Sequence, residues 1–83
     1  ECVTAGDTTA QIADLHLLAE AVGAWLRTCS PEARHTFVGR YFFADSIREI
    51  ASYCGMSESK VKSMLHRSRK ALRTYLEQEG FEV

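Results

Sequence analysis

The residues of this chain that could do chemistry are cationic and hydrogen-bonding. Ser59, Lys60, Lys62, Ser63, His66, Arg67, Lys70 and Arg73 fall on one side of a helical repeat over residues 57–76. Val61, Leu65, Leu72 and Leu76, with Met64 and Ser68 alongside, fall on the other. Residues 46–76 carry seven basic groups against Glu49 and Glu58, a net of plus five. Such a field attracts and neutralises phosphates. Catalysis fits the sequence poorly. No carboxylate pair, no nucleophile beside a base and no glycine-rich phosphate loop occurs at a usable spacing, and a lone histidine among arginines suits a nucleic-acid contact better than a general base. The chain is not expected to be an enzyme or to carry a metal or cofactor.

The elements that must present this face can be read from caps and periodicity. Ser46 with Glu49 three residues later forms an S-x-x-E capping box, which predicts a helix start. Ile47, Ile50 and Ala51 give that helix its apolar stripe, and Gly55 stops it near Cys54. Met56 sits in the turn, and Ser57 and Glu58 open the next helix as N-cap and dipole partner. Helix, glycine turn and helix is the helix-turn-helix layout. Upstream, Ile12, Leu15, Leu18, Ala19, Val22, Trp25 and Leu26 recur at helical spacing and predict a packed helix over 10–28. Ser30, Pro31 and Glu32 are a helix start, with the helix continuing to about residue 43. Downstream, Gly80 is a candidate helix cap within an acidic tail. The expected fold is therefore all-α, a small four-helix domain containing a helix-turn-helix over 10–83, preceded by a linker or tail over 1–9.

Composition is compatible with this reading. The 83 residues sum to a net charge of −1, but residues 1–30 carry minus three and the remainder plus two, so the basic groups are collected on one element. No apolar run approaches the roughly 20 residues that cross a membrane, which places the chain in solution and, with Cys2, Cys29 and Cys54 unpaired in spacing, in the reducing cytoplasm. Zinc binding by these cysteines with His16, His35 and His66 matches none of the usual ligand spacings. Phe37, Tyr41 and Phe42 admit two readings, the core of a small domain or an apolar surface for a protein partner.

Residues 30–76 resemble the fourth conserved region of bacterial sigma factors of the extracytoplasmic-function type. The resemblance rests on Ser30-Pro31-Glu32, Arg40-Tyr41-Phe42, Ile50-Ala51 leading to Gly55-Met56-Ser57, and Val61-Lys62-Ser63 through Leu65-His66-Arg67 to Arg69 and Leu72. It covers about residues 15–78. Departures are Ser59-Lys60, where the family carries Gly-Thr, and Met64, where arginine is common. The resemblance implies recognition of double-stranded promoter DNA near minus thirty-five, docking on the RNA polymerase core, and an anti-sigma factor as a further partner. By matching positions, Lys62, Ser63, His66 and Arg67 face base edges or adjacent phosphates, with Ser59 and Lys60 beside them in the first turn. Arg48, Ser57, Arg69, Lys70 and Arg73 are better placed for phosphates, which set register without reading sequence. The family's other conserved region has no counterpart here, so the chain is either a fragment of a longer factor or a protein that keeps only the DNA-binding part. Two alternatives stay open: a stand-alone dimeric helix-turn-helix regulator reading a palindrome, and a module whose basic helix is bound by an acidic protein.

Overall fold

The computed structural model describes the backbone of residues 5–82 and the side chains of residues 15–82. Four helices follow one another: α1 (Ala5–Thr28), α2 (Pro31–Tyr41), α3 (Ile47–Cys54) and α4 (Glu58–Gln78), with no strand among the described residues. The expected all-α architecture with a helix-turn-helix is what forms.

Local chemistry sets the helix starts. The Ser30 hydroxyl accepts from the Ala33 N–H at 3.2 Å, with Pro31 in the first helical position. At α3 the capping box closes in both directions. Ser46 Oγ accepts from the Glu49 N–H at 3.0 Å, and Glu49 Oε1 accepts from the Ser46 N–H at 2.8 Å. Those bonds, the backbone one foremost, hold the Glu49 carboxyl below the ordinary carboxylate range. Ser57 Oγ accepts from the Lys60 N–H at 3.0 Å and starts α4.

The stop between α3 and α4 is conformational. Gly55 adopts φ 68°, and the following Met56 N–H donates to the Ala51 carbonyl at 3.0 Å. Because a Cβ at Gly55 meets no neighbour, the position tests backbone strain alone. Gly55→Ala is expected to lower unfolding free energy by about 1–2 kcal/mol, read as a shift in urea midpoint at constant slope. The end of α4 is closed by hydrogen bonds of the Schellman type. Gly80 N–H donates to the Glu77 carbonyl at 3.1 Å and Phe81 N–H to the Leu76 carbonyl at 2.9 Å.

Two clusters hold the helices together. Ile50 and Val61 are fully buried, and with Ala51 and Leu65 they join α3 to α4, flanked by Ile47, Cys54 and Met56. Trp25 packs edge-on against Phe37 at 5.2 Å between ring centroids, and Phe37 packs against Tyr41 at 4.7 Å, which ties α1 to α2. Across the α1–α2 junction Arg34 Nη1 donates to the Leu26 carbonyl at 3.4 Å, near the C-terminal end of α1. Gly39 lets α2 and α3 approach closely, since a Cβ there would run into the Tyr53 hydroxyl.

The helices α1 and α2 differ from the sequence reading in three places. First, α1 begins at Ala5 rather than residue 10; residues 1–4 of the expected tail, and the Ile12 side chain, lie outside what is described. Second, two residues of the expected packing face, Leu15 at 64% and Ala19, are exposed. Helix α1 runs back along α4, with Trp25 beside Met64 and Ser68, and Leu17 and Ala21 beside Tyr75 and Phe81. Because α4 stops at Gln78, Leu15 has no α4 surface to cover. Third, α2 stops at Tyr41, two residues early, where the chain turns through Ala44 in the left-handed region at φ 57°. Asp45 secures that turn, its N–H donating to the Gly39 carbonyl at 2.9 Å and its carbonyl accepting from Arg40 Nη1 at 3.1 Å. No helix among the described residues is long and apolar enough to cross a membrane.

Candidate nucleic-acid interface

Helix α4 presents its polar face because α2 and α3 cover the opposite one. Val61, Met64, Leu65, Ser68 and Leu76 are buried and Leu72 half-buried. Ser59, Lys60, Lys62, Ser63, His66, Arg67, Lys70 and Arg73 are all exposed. At about 100° per residue, Ser59, Ser63, His66 and Lys70 occupy the middle of the open face. Lys62, Arg69 and Arg73 form one flank, and Lys60 and Arg67 the other. The N-cap Ser57 is exposed at the start of α4, and its hydroxyl proton remains able to donate to an anion beside the positive helix end. Arg48 is exposed on α3.

Helix α2 reaches both flanks. Near its start, Glu32 Oε2 lies 3.9 Å from Lys60 Nζ. At its end, the Tyr41 hydroxyl accepts from Arg69 Nη1 at 2.8 Å. Arg73 pairs within α4, its Nε 3.6 Å from Glu77 Oε2. The two ion pairs are exposed and contribute little to stability, so Lys60 and Arg73 can exchange a carboxylate for a phosphate at small cost. Arg67 lies against the α1–α2 junction, beside Trp25, Cys29 and Ala33.

The aromatic residues separate into two sets. Phe37 is 6% exposed between Trp25 and Tyr41, so of the two readings it takes the core one and is not part of a partner surface with Tyr41 and Phe42. Tyr41 and Phe42 are exposed, as are Phe43 and Tyr53, which the sequence reading did not assign to a surface. Phe43 and Tyr53 border a groove between α2 and α3 that also holds Arg34, His35 and Val38. Tyr53 Oη donates to Asp45 Oδ2 at 2.8 Å. Burial of its hydroxyl end against α2, then that hydrogen bond and the Asp45 charge, push the phenol up to about 12. Spectrophotometric alkaline titration is expected to resolve one tyrosine ionising near that value, and Asp45→Asn to lower it.

Cys29 and Cys54 are free, half-buried thiols. Burial pushes the Cys29 thiol up, opposed by Arg34, and its Sγ donates to the Trp25 carbonyl at 3.4 Å. Among the described residues no three His, Cys, Asp or Glu side chains converge as a metal site would require.

A short capped helix, a left-handed glycine turn and a longer helix with an open basic face define a helix-turn-helix domain of the DNA-binding class. Residues 21–72 match the family described as Sigma-70, region 4. The chain is 39% identical over 77 residues to the RNA polymerase sigma-E factor of Streptomyces antibioticus, a match that takes in 93% of this chain and 41% of that protein. The chain thus spans less than half the length of that relative. No solved structure matches it. The chain belongs to the sigma-70 region 4 family.

Proposed function

We propose that this domain recognises the minus-thirty-five element of promoter DNA, with the N-terminal turns of α4 in the major groove, and docks on the RNA polymerase core to direct transcription initiation. The observation that carries this reading is the open face of α4. Its base-facing set, Ser59, Lys60, Lys62, Ser63, His66 and Arg67, is fully displayed on a helix whose other side is locked into the core. A helix of this width fits the major groove, where each base pair shows a distinct pattern of donors and acceptors. Arg48, Ser57, Arg69 and Arg73 border that set and Lys70 follows it along α4, and these five contact the flanking phosphates. Tyr41 and Phe42, exposed at the end of α2 beside the Arg69 flank, supply the polymerase-docking surface.

Selection of bound sites from a random duplex library at low salt tests the reading. A single asymmetric motif is the expected outcome. A palindrome would instead indicate a dimeric regulator, and no enrichment would overturn autonomous promoter reading in favour of a protein-bound module, such as one held by an anti-sigma factor. Lys70→Ala is expected to weaken all sequences alike and to reduce the slope of log affinity against log salt by about one unit.

A further inference from the structure

The hydrogen bond between α2 and α4 singles out a residue on neither the base-reading nor the phosphate-contacting set. We propose that Tyr41 is a positioning residue that presets Arg69 for a backbone phosphate; the proposal rests on the promoter-binding reading above. Tyr41 sits at the last position of α2, with its ring tilted by 47° against Phe37. Phe37 is in turn wedged against Trp25, so the phenol is anchored to the core through two aromatic contacts while its oxygen reaches the surface. That oxygen accepts from Arg69 Nη1 at 2.8 Å. Arg69 lies on the Lys62 and Arg73 flank of α4, at the edge of the open basic face, and its side chain borders a shallow apolar groove with Leu72 and Leu76.

A free arginine side chain gives up rotamer freedom when it is fixed on a phosphate. A guanidinium already tethered by one N–H to a fixed phenol gives up part of that before DNA arrives. The planar fork has five N–H donors, so the bond to Tyr41 leaves others for a phosphate. Tyr41 thus acts on DNA through Arg69 and touches no nucleotide.

The test is a double-mutant cycle on the 83-residue chain, using a duplex that carries the selected site. Tyr41→Phe keeps the ring and removes only the acceptor. It is expected to weaken binding by about 3- to 10-fold with the preferred sequence unchanged. Arg69→Ala is expected to weaken binding and to lower the salt slope by about one unit. In the Arg69→Ala background, Tyr41→Phe should change affinity by less than about twofold, because the group it orients is gone. An equal loss in both backgrounds overturns the proposal, since a structural or direct contact by Tyr41 would act with or without Arg69. Wild-type affinity in either single variant overturns it as well. If the wild-type chain binds no duplex at all, the promoter-binding reading fails and the positioning role fails with it, a result distinct from the additive one.

Discussion

Leu65→Ala is expected to remove about 2–5 kcal/mol of unfolding free energy. Leu65 is 2% exposed and lies among Ile50, Ala51 and Val61, the side chains that fasten α4 to α3. Truncation removes the transfer energy of the deleted carbons and leaves a cavity that two capped helices cannot easily close around. Domains of this size have about 5–15 kcal/mol in total, so the loss is a large share of what holds the fold. Urea denaturation followed by circular dichroism reads it directly. Leu65→Met, which conserves volume, should cost less than about 1.5 kcal/mol. If both variants lose equally, something other than cavity formation controls this site. The functional corollary is that Leu65→Ala should weaken DNA binding without altering the preferred motif, because it frees α4 from its support and leaves the open face chemically intact.

The features that were legible in the sequence are those whose causes are local. Ser30, Ser46 and Ser57 each bond a backbone N–H three residues on, so a serine in register with the first apolar position announces its helix before any tertiary contact exists. Gly55 is legible for the same reason, since a left-handed stop requires no distant partner. The two faces of α4 follow from periodicity alone. Features set by a distant element were not legible. Phe37 and Phe42 lie five residues apart in one aromatic run, yet only Phe37 meets Trp25, because the crossing of α1 decides which ring is covered. Leu15 has the spacing of a packing residue, but its exposure depends on where α4 stops. The Glu32–Lys60 pair and the Arg69–Tyr41 bond each join residues 28 positions apart, and no pattern in the chain marks them. Phe81 is a middle case. A hydrophobic residue after a helix-capping glycine signals a contact back onto the helix, and its half-buried place beside Leu17 and Tyr75 follows from that rule.

If the proposed base-reading role of the α4 face holds, its largest expected effect falls at Arg67. It is exposed, and it borders the cleft at the α1–α2 junction together with Trp25 and Cys29. A stem that lies along such a cleft has fewer directions open to its guanidinium, and a planar fork suits the paired acceptors of guanine. Arg67→Ala is expected to cost about 1–3 kcal/mol on the selected site, roughly 5- to 150-fold in affinity, and to blur a single base position. Arg67→Lys separates geometry from charge. It keeps the phosphate-attracting field and hence the salt slope, but loses the two-pronged match, so discrimination at that base should fall nearly as far as with alanine. Lys70, in the middle of the open face and further along α4, provides the contrast, since Lys70→Ala should weaken every sequence equally. Site selection repeated with each variant reads both effects. A uniform loss for Arg67→Ala that matches Lys70→Ala would move Arg67 to the phosphate set and leave base reading to Lys62, Ser63 and His66. Thermal melts of the free variants close the argument, because a drop in melting temperature for Arg67→Ala would trace part of its effect to the lost stem packing at the α1–α2 junction.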